Sequence, residues 1–285
     1  LTLESFIRVA RDGARVDICP QAVQRMQRSR EVVEDIIRSG RPAYGINTGF
    51  GDFSRISISE EDASLLQNNL ILSHSTAMGS PFPQEVVRGM LLLRANALCG
   101  GYSGIRPEIV RTMADMLNLG VHPVVPEKGS LGASGDLAPL AHMALVLLGL
   151  GEADLNGQRM PGGEAMKQAG LPTYSLLAKE GLALINGTQA MTSVGALALH
   201  DAMCAARLAD ITASMSLEAL RGLTSAFEER LQTVRPQKGQ PTVARNMRLL
   251  CAGSEIIENA ASLRVQDAYT LRCIPQVHGA VRMAM

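Results

Sequence analysis

Three small residues in a row, Ala133, Ser134 and Gly135, can make an electrophile from their own backbone. The amide nitrogen of Gly135 can attack the carbonyl carbon of Ala133. Loss of one water there and of a second from Ser134 then leaves a 4-methylideneimidazol-5-one ring (MIO). Gly135 has no Cβ, so its nitrogen can approach a carbonyl two residues back in the chain. No amino acid side chain is as electrophilic as this ring.

The same residues also fit the ordinary start of a helix. Asp136 follows Gly135 directly, and Pro139 comes three residues later. A loop rich in glycine and serine before an aspartate and a proline is typical of a helix N-terminus. The tripeptide alone therefore leaves both interpretations open.

The surrounding sequence favours the ring. Six blocks follow one another along the chain: YGINTGFG from Tyr44, LQNNLILSHS from Leu66, YSGIRPE from Tyr102, GASGDLAPLAH from Gly132, GLALINGTQA from Gly181 and QDAYTLRCIPQVHG from Gln266. Through these blocks the chain resembles the aromatic amino acid ammonia-lyase family, and most closely its histidine-specific members. The resemblance covers nearly all 285 residues. It implies a mainly α fold, an ammonia-lyase/fumarase-like helical bundle with a loop-rich N-terminal helical part.

The function implied by this resemblance is elimination of ammonia from L-histidine to give trans-urocanate. An MIO ring formed autocatalytically from Ala133, Ser134 and Gly135 would bond the substrate amine, which is otherwise a poor leaving group. Tyr44 matches the family's catalytic tyrosine, whose phenolate takes the weakly acidic β-proton. Asp136 matches a residue that the family needs for ring closure, and its charge also suits the helix N-terminus that follows it.

Substrate-binding roles implied by the resemblance fall on residues in other blocks. His74 matches the residue that faces the substrate ring, although a lone histidine on a helix is commonly structural. Asn186 matches an asparagine near the prosthetic ring and the substrate carboxylate, and it could also cap the long helix after it. Arg272 matches the carboxylate clamp, a bidentate task that suits guanidinium. Gln266 and the catalytic Tyr269 support the ring and the proton transfers, and they share a face if this segment is helical.

Composition excludes several classes of partner. The net charge is zero, so no electrostatic signal favours nucleic acid or an anionic membrane. Only 3% of the residues are aromatic, while alanine, leucine, methionine and glycine abound, as in closely packed helices. The five cysteines form no CxxC pair, and the remaining histidines lack metal-ligand spacing, so we expect no metal site and a reduced, cytoplasmic compartment. The apolar stretch 137–150 is too short to span a bilayer.

Helical periodicity dominates the elements that must position these residues. It predicts helices over Pro20–Gly40, Ser59–Gly79, Pro83–Cys99, Pro107–Gly120 and Asp136–Gly151. A run from Gly187 to about Glu229 predicts one long central helix or two nearly collinear ones, apolar around most of the circumference and therefore buried. A small hairpin and a short helix are expected within 151–171, and a loop over 233–242 before a helix through 248 and 257. We expect two parts, 1–182 and 183–285.

Two alternatives to a histidine lyase stay open. Tyrosine and phenylalanine ammonia-lyases and aminomutases share this machinery and differ in substrate. Family members continue for a second half of comparable length, form homotetramers and draw each active site from three subunits. The chain is therefore expected to be an N-terminal fragment, and a catalytically incompetent piece is the second alternative.

Overall fold

The computed structural model describes residues 1–49, 58–131, 135–235, 237–260 and 262–285, and of residues 60 and 61 only the backbone. Its regular structure is mainly helical, as predicted. The helices are α1 (Leu3–Ala10), α2 (Pro20–Ser39), α3 (Glu60–His74), α4 (Gln84–Leu98), α5 (Pro107–Leu119), α6 (Leu137–Leu147), α7 (Gly162–Gln168), α8 (Glu180–Ile185), α9 (Gln189–Ala219), α10 (Glu229–Val234), α11 (Gln240–Leu250), α12 (Glu255–Glu258), α13 (Tyr269–Arg272) and α14 (Ile274–Ala284). The strands are β1 (Met78–Pro81), β2 (Val121–Pro123), β3 (Pro126–Lys128), β4 (Glu152–Leu155) and β5 (Gln158–Pro161).

By their internal contacts the residues divide into two compact units, Leu1–Leu197 and Ala198–Met285. The second unit begins within α9, after the helix has run through its first turns. The division between 182 and 183, which rests on the sequence, remains a prediction about domain organisation.

Local signals in the sequence account for the ends of α2 and α5. Each helix has a proline in its first turn, and each ends at a glycine in the left-handed region, Gly40 with φ 65° and Gly120 with φ 75°. Proline costs nothing at a position whose N–H has no helical partner, and glycine adopts positive φ without a steric penalty. These two predicted helices are confirmed almost to the residue.

Helix α3 is shorter than its apolar pattern predicts. Ser59 caps its start and accepts a hydrogen bond from the Asp62 amide at 3.1 Å. The helix ends at His74 because the chain then forms β1, which pairs antiparallel with β3. The predicted continuation to Gly79 is therefore wrong, and a strand partner nearly 50 residues away is the reason.

A small antiparallel sheet supports one side of the first unit. Its strand order is β2-β4-β5, and β4 and β5 form the predicted hairpin ahead of the predicted short helix α7. The two turn residues, Asn156 and Gly157, have φ of 51° and 79°, as a two-residue hairpin turn requires.

The core of the first unit lies between two groups of helices. Helix α4 packs against α1 and α5, and α6 packs against α3 and α8. Side chains that are fully or almost fully buried between them include Ile71, Met90, Leu91, Ile109, Met113, Leu140 and Met143. This core fixes α4 and α8, the two helices that supply Arg94 and Asn186.

Helix α9 is the predicted long helix, but it is not buried all round. Several of its apolar side chains are open to solvent: Met191, Val194, Leu199, Leu208, Ile211 and Met215. A helix that is apolar on every side needs neighbours on every side, and among the described residues each unit covers only part of its length. The stretch Glu180–Ala219 is also long and apolar enough to cross a membrane by length and composition alone, a test that core helices of globular proteins also pass.

The second unit has its own small core. Phe227, Val243, Met247, Leu271 and Ile274 are buried there, contributed by α11, α13, α14 and a short 3-10 helix, Ser225–Phe227. Helices α11 and α14 approach so closely that a Cβ on Gly279 would lie 2.7 Å from the Gln240 nitrogen. The helix predicted through 248 and 257 is interrupted after Leu250, where Gly253 takes a φ of 75° before α12 begins.

Candidate active site

The described part of the tripeptide is its last residue. Ala133 and Ser134 lie outside the described residues, together with Gly132. Gly135 has a φ of 80°, and its carbonyl oxygen accepts a hydrogen bond from the Ser130 hydroxyl. A Cβ at this position would lie 3.4 Å from the terminal methyl of Met191. The positive φ favours glycine here, whereas 3.4 Å is an ordinary contact distance to the end of a flexible side chain.

Asp136 is fully buried and holds the loop against the long helix. Its Oδ2 accepts a hydrogen bond from the Met191 amide at 2.9 Å, and its Oδ1 accepts one from the Ser130 hydroxyl at 3.0 Å. Its side chain makes no capping hydrogen bond to α6, the helix that follows it. Asp136 is nevertheless the N-cap residue of α6, so its charge lies at the start of that helix as predicted. It also binds the first turn of α9, where free amide groups and the helix dipole favour an anion.

Tyr44 lies in a turn of the first unit, and its side chain is 58% exposed. Asn47 braces this turn, because its Oδ1 accepts from the Ala43 amide at 2.8 Å and its Nδ2 donates to the Arg41 carbonyl at 2.9 Å. Gly45, with a φ of 71°, makes the bend directly after the tyrosine. The remainder of this sequence block, from Phe50, lies outside the described residues.

His74 is the last residue of α3 and is partly exposed. Its Nδ1 lies 2.8 Å from the Leu70 carbonyl oxygen. A carbonyl can only accept, so Nδ1 carries a hydrogen and donates it to this carbonyl, and Nε2 is an acceptor whenever it carries no proton. The structural hydrogen bond of His74 therefore uses Nδ1, whereas the predicted contact with the substrate ring would use Nε2.

Asn186 lies at the turn between α8 and α9. It is the C-terminal cap residue of α8, and its amide donates to the Leu182 carbonyl at 3.0 Å. Its own carbonyl accepts from Nη1 of Arg94 at 3.1 Å, while its side chain is exposed. The prediction that it caps the long helix is wrong, because α9 begins at Gln189 and the Asp136 carboxylate binds its first turn.

The second unit brings Gln266, Tyr269 and Arg272 together. The guanidinium carbon of Arg272 lies 4.1 Å from the centre of the Tyr269 ring, within range of a cation–π interaction. With the amide of Gln266 oriented so that its oxygen faces Arg272, that oxygen accepts from Nη2 at 2.8 Å. Helix α13 begins only at Tyr269, so the predicted helical face shared with Gln266 is wrong. Gln266 and Arg272 line a pocket of about 350 Å³.

The family follows from a comparison over the whole chain. The family model described as aromatic amino acid lyase matches residues 1–285. The chain belongs to this family. The histidine ammonia-lyase of Caldanaerobacter subterraneus subsp. tengcongensis is 56% identical over all 285 residues, and that of Alkaliphilus metalliredigens is 55% identical. The chain spans 56% of the length of each of these relatives.

Solved structures of aromatic amino acid lyases and aminomutases share the fold of this family member. The histidine ammonia-lyase from Trypanosoma cruzi superposes with a TM-score of 0.87 at 41% identity, over 98% of this chain and 52% of that one. The tyrosine aminomutase from Streptomyces globisporus superposes with a TM-score of 0.90 at 37% identity, over 99% and 57%. The mainly α bundle expected from the sequence is thereby confirmed.

Three buried charged residues with defined partners were not singled out in the sequence. Arg94 donates to the Asn186 carbonyl, Glu180 accepts from Arg106 Nε at 2.7 Å, and Asp267 accepts from the Leu223 amide at 2.6 Å. Burial lowers the pKa of Arg94 to about 10. The sequence does hold a signal for Arg94, which is a lone charge within the apolar run GMLLLRANAL.

His122 and His142, to which the sequence assigns no part in the site, form hydrogen bonds within the first unit. His142 accepts a hydrogen bond from the Ala77 amide at 3.1 Å, and burial lowers its pKa. His122 accepts from Arg88 at 3.0 Å. Among residues 1–49, 58–131, 135–235, 237–260 and 262–285, no group of three histidine, cysteine, aspartate or glutamate side chains could hold a metal ion.

Proposed function

We propose that this chain contributes the electrophile and most of the substrate-binding groups of a carbon-nitrogen lyase that converts L-histidine to trans-urocanate and ammonia. The observation that carries the proposal is the 56% identity, over all 285 residues, to a histidine ammonia-lyase. The described geometry supports it, because the residues next to the tripeptide are anchored to the helix that follows Asn186.

The residues that flank the tripeptide fit an MIO ring. The Ser130 hydroxyl donates to the Gly135 carbonyl and lies 3.0 Å from Oδ1 of Asp136, so the two ends of the loop are held together. Holding the ends of a short loop lowers the entropic cost of bringing its backbone atoms into contact. The ring, once formed from Ala133, Ser134 and Gly135, supplies an electrophile that the substrate amine can bond.

Each remaining predicted residue has a task that its chemistry suits. Tyr44, as phenolate, removes the β-proton. Arg272 offers a planar pair of donors to the substrate carboxylate, steadied by the ring of Tyr269. His74 presents Nε2 as an acceptor for the N–H of a substrate imidazole. Asn186 completes the set through its exposed amide at the start of α9.

A second candidate is the tyrosine aminomutase reaction. The Streptomyces globisporus enzyme superposes slightly better than the Trypanosoma cruzi enzyme, with TM-scores of 0.90 and 0.87. Sequence identity orders them the other way, at 37% and 41%. The higher identity favours histidine, because one backbone serves several substrates and side chains select among them.

The experiment replaces Ser134 by Ala in the full-length protein. The unmodified protein is expected to weigh about 36 Da less than its sequence, since ring formation removes two waters. The variant is expected to show no deficit and a urocanate yield lower by orders of magnitude, while Ser39→Ala, at an exposed serine, behaves as the unmodified protein. Near-normal turnover by Ser134→Ala rules out the ring mechanism.

Substrate choice is tested in the same assay. Parallel reactions with L-histidine, L-tyrosine and L-phenylalanine are followed by the absorbance of urocanate, coumarate and cinnamate, and β-tyrosine is sought by chromatography. Turnover of tyrosine without histidine contradicts the leading proposal. For the chain 1–285 by itself, an unshifted mass together with no turnover of any substrate identifies a catalytically incompetent piece.

The proposal includes self-assembly in the cytoplasm. Exposed apolar side chains along α9, such as Leu208, Ile211 and Met215, form a surface that contacts between subunits of a homotetramer would bury. Light scattering of the full-length protein after gel filtration measures the mass directly, and a monomer contradicts this part of the proposal.

A further inference from the structure

One buried cation next to the candidate site lacks an anionic partner. Arg94 is only 5% exposed, and none of the ion pairs among the described residues involves it. Its Nε has no hydrogen-bond partner there either. Burying a guanidinium without a carboxylate and with an unsatisfied N–H is costly, so its placement has to serve the groups that it contacts.

Those groups belong to one turn. Arg94 donates through Nη2 to the carbonyl of Ala183 and through Nη1 to the carbonyl of Asn186 and to Oε1 of Gln189, at 3.1 and 3.0 Å for the last two. Ala183 and Asn186 supply carbonyls that have no helical partner at the end of α8, where a cation is also favoured by the helix dipole. Gln189 begins α9, so a single side chain joins the end of one helix to the start of the next.

The turn is shaped around the guanidinium. A Cβ on Gly187 would collide with Nη1 of Arg94 and with Oε1 of Gln189. Both main-chain polar groups of Asn186 are occupied, its amide by Leu182 and its carbonyl by Arg94. The side chain of Asn186 is therefore aimed by its fixed backbone rather than by contacts of its own.

We infer that Arg94 is a positioning residue that acts through Asn186. The inference rests on the proposed function, in which Asn186 binds near the ring and the substrate carboxylate. Loss of the Arg94 guanidinium displaces Asn186 and leaves the other predicted side chains in place.

A matched control lies on the same helix. Arg88 is 6% exposed and donates to the carbonyls of Val9 and Leu117, so Arg88→Met removes an equally buried guanidinium at a distance from the turn between α8 and α9. In the full-length protein Arg94→Met is expected to lower kcat about 100-fold, the cost of misplacing a catalytic contact by about 1 Å. Arg88→Met, compared at an equal fraction folded, is expected to keep kcat within about twofold.

A double-mutant cycle tests whether the effect passes through Asn186. In the background Asn186→Ala, Arg94→Met is expected to lower kcat by no more than about threefold, because the group that it positions is already gone. Arg94→Lys is expected to recover part of the loss, since an ammonium donates to carbonyls without the planar fork. The inference is overturned if Arg94→Met lowers kcat by the full 100-fold in the Asn186→Ala background as well. It is also overturned if Arg88→Met lowers kcat as much as Arg94→Met does.

Hydrogen exchange separates this inference from the proposed function. Arg94→Met is expected to speed exchange at the amide of Asn186, and Arg88→Met to leave exchange at that amide unchanged. If the unmodified protein forms no ring and no urocanate, the proposed function fails. The positioning of Asn186 by Arg94 is then tested by hydrogen exchange alone. Unchanged exchange at the Asn186 amide in Arg94→Met overturns its positioning role.

Discussion

Acidification should destabilise the first unit through His122. This side chain is 8% exposed, and its Nε2 accepts from Nη1 of Arg88 at 3.0 Å and lies 3.2 Å from the Gln84 amide nitrogen. Protonation would place a hydrogen between Nε2 and a guanidinium that already donates to it. Burial first and the charge of Arg88 second lower the pKa of His122 to about 4, against the opposing effect of Asp154.

The sign and size of the effect follow from this shift. The unfolded chain takes up a proton near pH 6.5 and the folded chain only near pH 4, so the unfolded state binds more protons in between and stability falls as the pH falls. The full loss, reached below pH 4, is about 3 kcal/mol. Between pH 7 and pH 5 the expected loss is about 2 kcal/mol.

Urea denaturation at pH 7 and pH 5 measures the loss, and the variant His122→Gln isolates it. Glutamine keeps an acceptor for Arg88 but does not titrate, so the variant should lose about 2 kcal/mol less than the unmodified chain over this interval. Subtraction removes the contributions of the other histidines. Equal losses in the two proteins refute the reasoning.

Two further predictions concern stability. Glu180→Gln should lower the free energy of unfolding by roughly 3 kcal/mol or more, because it breaks a buried pair with Arg106. Asp154→Asn, at an exposed pair, should lower it by less than about 1 kcal/mol, and urea denaturation measures both. Similar losses in the two variants would contradict the role assigned to burial. Gly279→Ala should lower the melting temperature, because its Cβ would meet the backbone of α11, whereas Gly195→Ala on α9 has open space and should leave stability equal or raise it by up to about 1 kcal/mol. A tolerated Gly279→Ala would show that the two helices can separate without cost.

Much of the fold could be predicted because its signals are local. Pro20 and Gly40 mark the ends of α2 within its own sequence, and the hairpin β4–β5 follows from a two-residue turn. The end of α3 could not be predicted, because it depends on pairing between β1 and β3. The exposed side of α9 was missed for a related reason. Periodicity shows that a helix has an apolar surface to bury, but not which residues cover it.

The candidate site divides in the same way. Its chemical residues, Tyr44, His74 and Arg272 among them, were identified by type and by the sequence blocks that hold them. Their partners were not, because the Asp136 carboxylate binds an amide 55 residues away and Arg94 binds carbonyls about 90 residues away. Backbone amides and carbonyls look alike at every position in a sequence, so only the fold reveals which of them a buried side chain will meet.

The hydrogen bond between Asp136 and Met191 has a consequence for the order of events during synthesis. The chain leaves the ribosome N-terminus first, and Met191 is made 55 residues after Asp136. At about 5–20 residues per second, the carboxylate waits on the order of several seconds for its partner. The loop beside Gly135 gains its anchor only after α9 has begun to form. The anchoring of Asp136 beside Gly135 thus depends on a helix that has not yet been made when these two residues emerge.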